Sequence, residues 1–216
     1  MRRQQQRVLR HLCLGALTVA ISGLCLAWLP EKSPLPRLST GLAFAALLWL
    51  ACTLSVGPYQ VLRGRAHPPS QNLRRDLGIW SAISGLLHTA AGFHVHAGGN
   101  YRYYFIPRPD RMSEFPIRTD LGGLANFAGL AAAFVLVVLL AISSDRALER
   151  LGPNRWKGLQ RWTYALALLT VFHGAAYQIS GERGAPLVGV LIVLSAAPAA
   201  LQWLGFLRIR SLSRQP

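Results

Sequence analysis

Three histidines, His88, His94 and His96, stand in RRDLGIWSAISGLLHTAAGFHVH at residues 74–96, and a fourth, His173, in LQRWTYALALLTVFHGAAY at residues 159–177. Both stretches are otherwise apolar over a helix length. A histidine held inside a bilayer is costly and marks a functional site by default. Two imidazoles on neighbouring helices at one depth can supply both axial bonds to a haem iron. A surrounding apolar bundle would shield the porphyrin and help to set its potential. Gly85, Ala91 and Gly92 flank His88, and Gly174, Ala175 and Ala176 follow His173, so a flat macrocycle would find room. The same pattern also suits histidines that bond a neighbouring helix while the small residues serve close helix packing. Spacing leaves both readings open.

The other histidines divide by position. His94, six residues beyond His88, points to a different face of an ideal helix. His96, eight residues beyond, returns to within about 80° of His88 and nears the end of the run. Both read as interfacial histidines in contact with water, or alternatively as ligands for haem, a metal or an outer substrate. His11 and His67 fall at a helix edge or in a loop and are expected to face solvent.

The elements that must position these residues are membrane helices. Of 216 residues, 52% are hydrophobic and 14% charged, against about 25% charged in an ordinary soluble domain. The net charge of +15 sits in the gaps between apolar runs, which is a membrane distribution and argues against nucleic acid as a partner. Cys13, Cys25 and Cys52 have no CxxC spacing and read as small packing residues. The first apolar run, about Leu12 to Leu29, is longer than a signal-peptide core and no A-x-A site follows, so it is expected to persist as a helix.

Six runs approach the roughly 20 residues a span requires. They are approximately 10–30, 38–62, 76–97, 121–143, 159–180 and 185–207. The fold expected is an all-α, six-transmembrane-helix bundle, a single domain over residues 1–216. The connections on one side of such a bundle hold 16 lysines and arginines and those on the other 7, together the 23 of the chain. The richer side is cytoplasmic by the positive-inside rule, which places both termini in the cytoplasm. The third and fifth runs are then parallel. His88 and His173 fall about 20 and 25 Å along them at 1.5 Å per residue, close enough to be level in the outer half of the membrane.

The outer connection Gly98–Asp120 is long for a helix-to-helix link. Its Tyr101, Tyr103, Tyr104 and Phe105 suit an interfacial aromatic belt. With Arg102, Arg108 and Arg111 they could instead cover a haem edge or dock a partner. No GxGxxG follows a strand, and neither GxxxxGK[ST] nor GxSxG occurs. The chain has 8 acidic residues and none in the middle of a run, which leaves a carboxylate proton relay little to work with.

The pieces TGLAFAALLWLACTLSVGPYQVLRG, RRDLGIWSAISGLLH and SSDRALERLGPNRWKGLQRWTYALALLTVFH resemble the ferric-reductase-like transmembrane domain shared by ferric reductases and NADPH oxidases, over roughly residues 38–178. Within that family the likeness is nearest to the bacterial haem-binding membrane subunit of the periplasmic methionine-sulfoxide reductase system. The resemblance implies a multi-pass cytochrome of the bacterial inner (plasma) membrane that passes electrons through haem b, with His88 and His173 as axial ligands. It also exposes a departure. The family's fifth helix usually carries a second histidine thirteen residues before the first, and here Gln160 stands there. Arg74 and Arg75 occupy the inner end of the third helix, which offers no histidine either. One haem is therefore implied, and Gln160 speaks against a second. Arg74 and Arg75 most simply set topology; a second role would be to hold haem propionates, or an anionic flavin or quinone headgroup, at the inner side.

No soluble flavin or nicotinamide domain is expected, so a cytoplasmic reductase or quinol would be the donor. The acceptor would be a periplasmic protein or ferric ion, and the protein an electron-transfer subunit rather than a self-sufficient enzyme. Two further readings use the same elements. One is a cofactor-free membrane transporter or assembly partner, favoured by Gln160. The other is a metalloreductase receiving ferric or cupric ion at the outer loop through His94 and His96.

Overall fold

Each of the six apolar runs folds as one long helix. In the computed structural model they are α1 (Arg3–Trp28), α2 (Pro34–Leu62), α3 (Gln71–Ala97), α4 (Leu121–Ala141), α6 (Trp162–Ser180) and α7 (Ala185–Leu212). The structure describes residues 3–31, 33–64, 71–97, 100–107, 116–181 and 184–213; His67, Arg108 and Arg111 lie outside these. Among the described residues, α1, α2, α4 and α7 are long and apolar enough to cross a membrane. The helices below that composition, α3 and α6, are the two that carry the half-buried His88 and His173 among other polar residues.

The connection before the fifth run is itself helical, α5 (Asp145–Gln160), where the sequence suggested only a polar link. Ser144 caps it by accepting from the Ala147 amide at 3.1 Å, and Asp145 favours the positive helix start. The helix breaks at Gly152, whose φ of 72° suits a glycine, just before Pro153. Trp156 Nε1 donates to Ile142 O at 2.9 Å and holds the segment against the end of α4. The histidine-bearing helix consequently begins at Trp162, after Arg161, rather than at residue 159.

The centre of the bundle is built by α2, α3, α4 and α6. Leu50, Leu54, Ala82, Ala132, Leu136, Leu139 and Leu166 form its apolar core. Small residues bring the helices together. A Cβ at Gly85 would lie 2.7 Å from Leu136 Cδ1, and one at Gly41 would lie 2.6 Å from Ser22 Cα, so α3 meets α4 and α2 meets α1 at glycines. Outside this core, α1 and α7 turn Leu17, Val19, Leu24, Ile192, Val193 and Trp203 outward, a lipid-compatible surface.

Two polar devices attach the flanking helices. Pro58 lacks an N–H, so the Leu54 carbonyl loses its helical donor. Gln202 Nε2 of α7 donates to that oxygen at 2.8 Å, and Gly205 lets α7 close onto Pro58. Gln202→Leu leaves this carbonyl unsatisfied and is expected to cost about 1–3 kcal/mol, read by unfolding in detergent. At the other flank, Asp76 of α3 is fully buried and accepts from Arg7 at 3.0 Å and Arg10 at 2.8 Å. His11 Nε2 approaches the same carboxylate at 3.4 Å, while its Nδ1 accepts from Trp80 Nε1 at 3.1 Å. His11 is thus not the solvent-facing residue its position suggested. It bridges Trp80 and Asp76, because α1 crosses α3 at this level.

Candidate functional site

His88 on α3 and His173 on α6 face each other across the bundle, with ring centroids 6.0 Å apart and planes at 76°. The orientation of each is set by a backbone carbonyl on a neighbouring helix. His88 Nδ1 lies 2.9 Å from Ser39 O and 3.1 Å from Ser39 Oγ of α2. His173 Nδ1 lies 2.8 Å from Ala125 O of α4. A carbonyl can only accept, so Nδ1 carries the proton in both rings and the lone pair resides on Nε2. A backbone acceptor behind Nδ1 is the arrangement that fixes tautomer and raises basicity in ligating histidines.

The donor set fits a metal bound between two imidazoles. Metal–imidazole bonds run about 2.0–2.1 Å, so rings with centroids 6.0 Å apart would have room to hold one iron between them. A bare ion is less well served: among the described residues no three His, Cys, Asp or Glu side chains gather as a metal site. The space around the pair is a cavity of 160 Å³ with small or apolar walls, including Gly85, Gly92, Gly129, Ala132, Ala133 and Leu136. Gly129 is required here. A Cβ at this position would lie 2.6 Å from His173 Nδ1 and drive the ring off its carbonyl.

At the loop end, the aromatic side chains of Phe93 and Tyr104 line the cavity. The 3-10 turn Tyr101–Tyr104 folds back so that Phe93 stacks on Tyr104 at 4.5 Å and on Tyr101 at 5.4 Å. Tyr104 is buried and lines the cavity, whereas Tyr101 stays exposed. Tyr104 therefore faces the cavity rather than an interfacial belt. Burial pushes its phenol up to about 12, with Arg118 pulling the other way. The Asp120 carboxylate beside Arg118 is held below the ordinary range by a 2.6 Å bond.

The remaining residues singled out from the sequence separate cleanly. His96 lines the cavity, its ring 4.5 Å from that of Tyr177. His94 is exposed and is not among the lining residues. Arg74, Arg75 and Gln160 meet at the opposite, basic end, around a second cavity of 710 Å³ that also takes in Lys157 and Arg161. Its lining contains no histidine, cysteine or methionine, and Arg75 pairs with Asp145 at 2.5 Å. Gln160 therefore faces a cationic pocket with no imidazole opposite it.

Sequence reasoning passed over Ser39, Asn126, Gly129 and Tyr177. Asn126 carried a readable signal, as the only polar side chain in the 21 residues of α4. Tyr177 is one turn beyond His173 and shares its face. Ser39, Ala125 and Gly129 act through backbone or through absence of a side chain, and no spacing announces that.

Comparison with known proteins bears on the same residues. The family described as ferric reductase like transmembrane component matches residues 40–171, a range that includes His88 and ends two residues short of His173. The chain is 28% identical over 142 residues to the protein-methionine-sulfoxide reductase heme-binding subunit MsrQ of Ralstonia nicotianae, covering 65% of this chain and 58% of that protein. It is 31% identical over 143 residues to the MsrQ of Azospira oryzae, covering 65% and 54%. Similarity extends to the magnetosome protein MamZ of Magnetospirillum gryphiswaldense, 27% over 165 residues, covering 76% of this chain and 22% of that protein. The chain thus spans little more than half the length of the MsrQ proteins it matches.

Proposed function

Because the chain belongs to the ferric-reductase-like transmembrane family, we propose that it is a membrane b-type cytochrome that passes electrons across the bacterial inner membrane. His88 and His173 would hold the haem iron. The observation that carries the proposal is the facing pair of imidazoles, each with Nδ1 tied to a backbone carbonyl and centroids 6.0 Å apart. In this reading all six long helices span the bilayer, both termini are cytoplasmic, and residues 1–216 form one transmembrane domain. The histidine pair then lies in the outer half and the basic cavity at the cytoplasmic side.

When bound, haem supplies a one-electron couple. The chain's own residues hold and tune it. Ser39 O and Ala125 O keep the Nε2 lone pairs directed inward, the apolar walls exclude water, and Tyr104 covers the outer mouth. The names of the MsrQ relatives, heme-binding subunits of a protein-methionine-sulfoxide reductase, support a partner protein in methionine-sulfoxide reduction, and in this reading that partner is the acceptor on the periplasmic side. Arg74 and Arg75 suit an anionic donor at the inner side, a flavin or a quinol headgroup, in place of a second haem. The test is a dithionite-reduced minus oxidised spectrum of the purified chain with a haem count. A b-type α-band and about one haem per chain are expected, and no band with haem in excess rejects the proposal. Gly129→Ala should lower haem occupancy several-fold while helix content by circular dichroism stays unchanged.

A metalloreductase is the second reading, supported by His96 at the cavity's outer wall. It expects His96→Ala to lower ferric reduction with the haem spectrum intact. The cofactor-free transporter or assembly partner is the outcome that an absent α-band would favour.

A further inference from the structure

Asn126 sits 1% exposed in the most apolar stretch of the chain, and a lone carboxamide there is costly unless its polar atoms are matched. Both are. Asn126 Nδ2 donates to Tyr104 O at 2.8 Å. Because that partner is a carbonyl, the amide orientation is determined and Oδ1 must face the other way. There it accepts a short hydrogen bond from the Tyr177 hydroxyl. The Asn126 backbone oxygen also accepts from Tyr104 OH at 3.4 Å. One side chain therefore ties the aromatic cover to Tyr177.

Tyr177 in turn braces His173. Its ring stands edge-on to the imidazole at 4.9 Å and 69°, and His96 packs on it at 4.5 Å and 33°. The carbonyl that receives His173 belongs to Ala125, the residue before Asn126. Consecutive residues of α4 thus receive one turn of α6, His173 and then Tyr177. The His173 ring touches the Tyr177 ring and lies where a Cβ at Gly129 would come within 2.6 Å of its Nδ1.

We infer that Tyr177 and Asn126 are positioning residues that hold the His173 plane nearly perpendicular to that of His88 and couple this angle to the Tyr104 cover. The inference rests on the haem reading and deepens it. Its consequence is electronic. Perpendicular axial imidazoles leave two iron d orbitals of nearly equal energy, which gives oxidised low-spin haem a strongly anisotropic paramagnetic resonance signal. Rings rotated toward parallel split those orbitals and give a rhombic one. Axial-ligand geometry also shifts the reduction potential.

The experiment compares the haem-loaded full chain with Tyr177→Phe, Tyr177→Ala and Asn126→Leu, recording resonance spectra, potential and haem per chain. The wild-type chain should give a single strongly anisotropic signal. Tyr177→Ala and Asn126→Leu should retain haem but lose that signal to a rhombic or broadened one, with a displaced potential. Tyr177→Phe, which keeps the ring, should lie between. If Tyr177→Ala does not accumulate, Asn126→Leu combined with Tyr177→Phe carries the test, since it removes the tie without leaving a hydroxyl lacking its acceptor. Variants with an unchanged signal and potential overturn the inference, as does a rhombic wild-type signal. A wild-type chain that takes up no haem overturns the cytochrome reading itself, a result distinct from either.

Discussion

His173→Gly and His88→Gly should each abolish the b-type absorbance, and added imidazole should restore part of it. The argument is one of coordination. Each ring has its proton committed to a carbonyl on another helix, which leaves the ligating role to Nε2, and among the described residues no three His, Cys, Asp or Glu side chains gather as a metal site. His96 is the nearest alternative imidazole on α3, but its ring is engaged with Tyr177 toward the loop end. Free imidazole can re-enter the space the glycine leaves, which separates a lost ligand from a misfolded chain. Retention of the full spectrum in either variant would remove that histidine from the ligand set.

The double variant Arg7→Ala/Arg10→Ala should lose about 3–5 kcal/mol in unfolding experiments in detergent, because it leaves a carboxylate with no exposure to solvent beside His11 Nε2 alone, at 3.4 Å. The two arginines are themselves 35% and 27% exposed, so the reverse change, Asp76→Asn, should cost less. It leaves cations that water can still reach. Because Asp76 is dry, the loss should depend only weakly on salt, unlike a surface pair. A double variant within about 1 kcal/mol of the parent chain would mean that α1 is held by its contacts with α2 alone, including Trp49 Nε1 on Thr18 at 2.9 Å.

Much of the architecture was legible along the chain. The bilayer imposes a length and an apolar character that can be read residue by residue, and each of the six runs lies within a long helix but for up to about three residues at one end. Histidines in such runs stand out for the same reason, and counting residues put His88 and His173 at similar depth. The helical connection α5 escaped because its signals are local and mixed: a serine cap and an acidic start, but also Gly152 and Pro153 in its interior.

The sequence by itself determined the helical membrane class and the family, and it drew attention to His88, His173 and Gln160, since each depends on residue type at a position. Tertiary structure alone decided what surrounds them. The carbonyls of Ser39 and Ala125 are features of backbone shared by every residue, Gly129 acts by having no side chain, and Asp76 finds its arginines 66 and 69 residues away. Asn126 becomes meaningful only when α4, α6 and the aromatic turn meet around it. Such relations arise from packing, and packing is set by which helix faces approach one another, a property of the assembled bundle rather than of any stretch of chain.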